Sequence, residues 1–296
     1  MKKIKKIFFC TIIVINTMLL FSQKSIAAER SKFIYTNLLC IQDDYNASND
    51  VIALRDAIYE NNINKVKELV NKGVNINLPV REKHSDPAFP PFYLTPLKFA
   101  ALEGNDEIVK LLLDKGAFVN LKDKDSDAQP MLTCVKKIST LKILVEAGAK
   151  IDDTDNWGNT SLKIAAHLNY KDAVITLISY GAQVNIKGEE GNTALLEAAM
   201  KGNTEIVQIL IESGTDINAG NNEGATALML AASHDNLESV KLLVNAGASI
   251  NTKDLSGKIA LDYAELNPYL PNNRKIRHIL KKTYRFGHKI LNAKKG

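Results

Sequence analysis

Apolar residues along this chain fall into two alternating helical patterns, repeated at a step of 33 residues. One pattern is small-sided, with the pairs Ala100-Ala101, Ala165-Ala166, Ala198-Ala199 and Ala231-Ala232. The other carries branched side chains at helical spacing, as in Ile108, Val109, Leu112 and Leu113, with polar residues between them. Small residues let neighbouring helices approach closely, and a branched stripe covers them. Each small-sided helix opens on a threonine (Thr95, Thr160, Thr193, Thr226), whose hydroxyl can accept from an orphan backbone N–H. A polar turn near Gly104 or Gly202 breaks it. Gly73, Gly116, Gly148, Gly181, Gly214 and Gly247 stand one step past the second helix, where a left-handed residue ends it. Short alternating segments follow, such as Gln183-Val184-Asn185 and Asp216-Ile217-Asn218, and a second glycine register (Gly158, Gly191, Gly224, Gly257) marks a tight turn in an extended finger. A period of this length predicts a stack of equal helix-turn-helix units rather than one closed core.

Thr95-Pro96-Leu97-Lys98-Phe99-Ala100-Ala101-Leu102-Glu103-Gly104, followed by Leu111-Leu112-Leu113-Asp114-Lys115-Gly116, is similar to the ankyrin repeat. The resemblance covers roughly residues 50 to 282 and implies an all-α solenoid of about seven units with β-hairpin finger loops. The units fall at about 50–77, 95–120, 121–152, 153–185, 186–218, 219–251 and 252–282, with an insertion at 78–94. The family's usual histidine after the Thr-Pro-Leu start is replaced by Lys98, Lys163, Leu196, Met229 and Asp262. In the third unit, Pro130-Met131-Leu132-Thr133-Cys134 takes the place of the regular start. The seventh departs from the pattern at Pro268 to Pro271 and should close the stack, because a terminal unit must turn one face to water.

The ends read differently from the array. Lys2, Lys3, Lys5 and Lys6 precede an apolar run from Ile7 to Phe21, and Ser25-Ile26-Ala27-Ala28 offers small residues for cleavage. Residues 1–27 thus have the layout of a secretory signal peptide, with 28–49 a lead-in, and the expected location is periplasmic or secreted. The run is 15 residues, short of the ~20 that span a bilayer. Without residues 1–27 the formal charge falls from +5 to zero. Residues 271–296 hold nine Lys or Arg and no acid, so the rest of the mature chain is acidic by the same amount. Asn273 to Tyr284 can form an amphipathic helix with Ile276, Ile279 and Leu280 toward the stack, and residues 283–296 read as a basic tail. Cys40 and Cys134 lie about two units apart, and a bridge needs Cα atoms within ~7 Å, so an internal bridge is not expected. Few cysteines fit a bacterial periplasm better than a disulfide-rich secreted domain.

Little in the sequence points to chemistry. His84, His167, His234, His278 and His288 show no metal-ligand spacing, and no phosphate loop, nucleophile elbow or zinc signature occurs. No catalytic, cofactor or metal residues and no small-molecule substrate are therefore expected, and nucleic acid is disfavoured. The resemblance implies a non-catalytic module that binds another protein through finger tips and the inner-helix face. Trp157, Glu189, Glu190, Asn222 and Glu223 are its candidate contacts, within a ridge that also counts Asp153, Asp155, Asn221 and Asp254. Each has a plainer explanation: Trp157 can pack on the next finger, and the acids can be a solvated surface. Phe89, Phe92 and Tyr93, in the proline-rich insertion, either meet a partner or cover the weak first unit. Two other readings stand beside this one. The basic segment 271–296 could anchor the protein at a membrane surface, or the protein could be a bacterial effector acting on host proteins.

Overall fold

Thr95, Thr160 and Thr193 accept hydrogen bonds from the backbone N–H groups of Lys98, Lys163 and Leu196, and so begin three of the helices that the pattern predicts. A computed structural model describes residues 49–81, 93–121, 131–135, 137–266 and 268–293; residues 81, 93, 133–134 and 285–293 are described by backbone alone. Thirteen α-helices lie in that part. The first unit is α1 (Asn49–Tyr59) and α2 (Ile63–Asn71), and the second is α3 (Pro96–Glu103) and α4 (Asp106–Asp114). Between them, Val80–Arg81 (β1) pairs antiparallel with Tyr93–Leu94 (β2), closing the base of the long finger. In the third unit a four-residue 3-10 turn, Met131–Cys134, replaces the first helix before α5 (Ile138–Glu146). The irregular sequence there therefore still fills its slot. The regular units follow as α6 (Ser161–His167) with α7 (Lys171–Ser179), α8 (Ala194–Lys201) with α9 (Thr204–Glu212), and α10 (Ala227–Ser233) with α11 (Leu237–Asn245). The last unit is α12 (Ala260–Glu265) and α13 (Asn273–Ala293).

The helices form two rows. First helices contact first helices in sequence order (α1, α3, the 3-10 turn, α6, α8, α10, α12), and second helices contact second helices in the same order. The first row is buried nearly all round: every residue from Ala194 to Ala199 is under 5 % exposed. The alanine pairs are what make this possible, because a larger side chain there would hold the row apart. The second row buries one stripe, such as Ile206, Val207 and Leu210 on α9 or Val240 and Leu243 on α11. Each such side chain contributes roughly 1.5–3 kcal/mol of burial, so the array is held by many modest contacts between neighbouring units.

Left-handed residues punctuate every unit. Gly104 and Gly202 have positive φ at the end of the first helix, and Asn61, Asn169 and Asp235 take that conformation in other units. Asparagine and aspartate tolerate it best among the residues with a Cβ. Units are also sewn by side chains: Asn185 Oδ1 accepts from Asp216 N at 2.9 Å, and Asn218 Oδ1 from Ser249 N at 2.8 Å. At the far end, α13 packs Ile276 and Leu280, with Ile279 partly buried, on α11 and α12. It runs without a break through residues 282 and 283, so the last unit and the start of the basic segment are one helix of 21 residues. Among the described residues no helix is long and apolar enough to cross a membrane. The leader at 1–27, residues 28–48 of the lead-in with Cys40, the Cys134 side chain, Phe89, Phe92 and the Tyr93 side chain lie outside the described residues.

Candidate functional site

Three of the four finger turns are built by side chains that accept from their own backbone; in the fourth, Gly188 stands at that position and the turn is closed by backbone bonds. Asp155 Oδ1 takes N–H bonds from Trp157 (2.9 Å) and Asn159 (2.7 Å); Asn221 Oδ1 takes them from Glu223 and Ala225; Asp254 Oδ1 takes them from Ser256 and Lys258. Inside each finger a further backbone bond closes the turn, as in Asp155 N to Asn159 O and Asn221 N to Ala225 O. Regular strands do not extend up these fingers; isolated bridges pair Thr154 with Thr160 and Gly220 with Thr226.

Successive tips are bonded to one another. Glu189 N donates to Trp157 O at 2.9 Å, Asn222 N to Glu190 O at 3.0 Å, and Leu255 N to Glu223 O at 2.9 Å. All five candidate contact residues are therefore brought together, as members of one ladder running across four fingers. The amide of Asn222 also donates to Glu189 O, and Lys187 Nζ donates to Gly220 O at 2.6 Å. The fingers approach so closely that a Cβ on Gly191 would lie 2.5 Å from the backbone nitrogen of Asn222. With a φ of 77° as well, glycine is required there on two counts.

What the ladder leaves free decides what it can bind. The residues Glu189, Glu190, Asn222 and Glu223 are exposed, while Trp157 is half-buried. The side chain of Asn222 is committed to the neighbouring finger. Asp155 is 6 % exposed and does not belong to the surface ridge, because its carboxylate is spent on its own turn. Asp254 is likewise engaged, by Ser256, Lys258 and the Tyr263 hydroxyl at 2.8 Å. Partial burial of the Glu190 carboxyl, with the negative charges of Glu197, Glu223 and Glu189 nearby, pushes its pKa up; Lys163 opposes this. The ridge is an acidic surface on a fixed frame.

Beneath it lies a cluster that the sequence does not announce. Glu197, 1 % exposed, stands where sister units carry Ile164 and Leu230. Its carboxylate meets His167 Nδ1 at 2.9 Å and Asn192 Nδ2 at 3.0 Å, and Lys163 Nζ lies 4.0 Å away. Burial alone would raise the Glu197 pKa, but the His167 bond, the Lys163 and His167 charges and the Asn192 bond outweigh it and hold the carboxyl below its usual range. The two partners do not move as a simple pair. Burial dominates at Lys163 and lowers its pKa despite Glu197, Glu190 and Asp155, because its contact with Glu197 is long. The physical order is a well-bonded carboxylate beside an under-compensated ammonium. The Lys163 ammonium reaches up to the finger, so close to Gly188 that an added Cβ would fall 2.3 Å from it. Of the two equivalent histidines, His167 joins this cluster; His234 instead approaches Ser233 and Leu230 O. The one sequence signal was Glu197 itself, a charge at an apolar position of the repeat.

The family model for ankyrin repeats (3 copies) matches residues 25–123, 97–188 and 181–254. A search of curated proteins finds no match. Ankyrin repeats are generally protein–protein interaction modules and typically non-catalytic. With the matched stretches spanning most of the sequence, and two helical rows joined by bonded fingers, the chain belongs to the ankyrin repeat family.

Proposed function

We propose that this protein is exported and binds a partner protein through its finger ridge and the adjoining first-helix row, without catalysing a reaction. The observation that carries this reading is the tip-to-tip ladder, which displays the carboxylates of Glu189, Glu190 and Glu223 on backbone that is already fixed. A surface ordered before contact loses little conformational entropy on binding. The charge of the ridge favours a partner with a basic face, drawn in by long-range attraction. Export rests on the leader layout of residues 1–27 and places the encounter in the periplasm or outside the cell.

Cross-linking the native protein in its own cell fraction and identifying what it captures supplies the partner. Binding of that partner is then compared between wild type and E189K/E190K/E223K, with E205K on the exposed face of α9 as control. The ridge variant is expected to lose at least tenfold in affinity, more at low salt, and the control to bind as wild type. Loss confined to the control would reject the ridge as the binding surface.

A further inference from the structure

We propose that the groove between α11 and the first turns of α13 is a binding site for a compact, multiply charged phosphate group. This site is separate from the finger ridge, and the inference does not rest on the ridge reading. The groove is open to solvent and is lined by Lys241, Arg274, Lys275, Arg277, His278 and Lys281, with Glu238 beside them. Its charges are not balanced from within. Lys241 pairs with Glu238 at 2.7 Å, and Glu265 serves both Arg277 (3.0 Å) and Lys281 (3.8 Å). Arg274, Lys275 and His278 have no carboxylate partner among the described residues, and no acidic residue follows Glu265 in the sequence. The buried Nε of Arg277 has no hydrogen-bond partner among the described residues.

The arrangement runs against what the helix alone would favour. Arg274 and Lys275 stand in the first turn of α13, where the helix dipole is unfavourable to cations; the helix has no acid of its own there, and the carboxylate at its start is Asp235, whose Oδ2 accepts from Asn272 N at 2.9 Å. Arg274, Arg277, His278 and Lys281 recur at spacings of three and four, so they share one stripe of α13 while Ile276 and Leu280 hold the stack. Guanidinium forks match phosphate oxygens bidentately, and lysine supplies point charge at the rim. The chemistry fits a phosphorylated headgroup of a lipid or a soluble polyphosphate.

The test uses the full mature chain and separates those two sources. One arm measures binding of inositol hexakisphosphate by calorimetry. A second measures co-sedimentation with phosphatidylcholine vesicles, with and without phosphatidylglycerol or phosphatidylinositol bisphosphate. A third offers a single-stranded oligonucleotide. Wild type is compared with R274Q/K275Q/H278Q, which leaves the Glu265 and Glu238 pairs intact, and with E205K as a surface control. Binding in the first or second arm that drops at least tenfold in the triple variant, with unchanged circular dichroism, supports the site. Preference for the soluble anion identifies a free phosphate ligand, and preference for anionic vesicles a lipid one. No binding in either arm, binding that survives the triple substitution, or stronger binding of the oligonucleotide than of either phosphate source overturns it.

Discussion

Removing the Glu197 carboxylate should be among the most damaging single changes available in the regular units. Glu197→Ala leaves Lys163, at 5 % exposure, with its nearest counter-charge gone, and strips the partner from His167 Nδ1 and Asn192 Nδ2 at once. Breaking a buried pair from one side costs about 3–5 kcal/mol, mostly the penalty of a charge left uncompensated. The same interface one unit further along offers a built-in comparison. There the positions of Lys163, His167, Asn192 and Glu197 are taken by Leu196, Met200, Ala225 and Leu230. The graft K163L/H167M/N192A/E197L should therefore stay within about 1 kcal/mol of wild type or exceed it, since apolar replacement of a whole buried ionic group is often neutral or stabilising. Urea denaturation followed by circular dichroism measures both. With an m-value of about 3 kcal/mol/M, E197A should lower the midpoint by roughly 1–1.7 M and the graft should barely move it. The pH limb adds a sign. The folded Glu197 pKa lies below its unfolded value, so its stabilisation is present above the ordinary carboxylate range and is lost as pH falls through the folded value. E197A should lack that part of the acid limb. If the graft proves as unstable as E197A, the reasoning fails, because mutual attraction rather than compensation would then be what the cluster supplies.

Two further outcomes test the fingers and the last unit. Gly191→Ala should destabilise more than Gly214→Ala in urea melts. Both have positive φ, which costs a residue with a Cβ about 1–2 kcal/mol, but only at Gly191 would the new methyl also meet the next finger's backbone, while at Gly214 nothing lies within 4 Å. Equal losses would show that the fingers are not in contact. The Tyr263 hydroxyl, partly buried and donating to Asp254, has its pKa pushed up to about 12. Its bond should contribute stability that is intact below the unfolded tyrosine value and is lost as pH rises through about 12. A difference titration of tyrosinate absorbance between wild type and Tyr263→Phe reads this directly, and a group titrating near 10 would contradict the bond.

The period of 33 residues was enough to settle the architecture. Gly181, Gly214 and Gly247 end the second helices with φ between 80° and 89°, and Thr160 and Thr193 cap the first helices, because these are local demands that a repeat states again in each copy. Even the finger residues Trp157, Glu189, Glu190, Asn222 and Glu223 could be grouped from spacing alone, since equal units place equal positions side by side. What they do there could not. Whether a polar side chain meets solvent or the neighbouring unit depends on how closely the fingers stack, and that separated exposed Glu190 from buried Asp155 and from Asn222, whose amide is bonded to the next finger. The Lys163–Glu197 contact was out of reach for the same reason. It joins positions 34 apart that carry leucine at the next interface, so no periodicity encodes it; only burial turns a single odd glutamate into the centre of a charged cluster. The basic stretch after Leu270 and its stack-facing Ile276 and Leu280 were legible as composition and helical spacing, but the cationic groove against α11 required the packed helices. Local conformation follows from residue identity and spacing, whereas the value of a charge is set by the groups and the water that folding leaves around it.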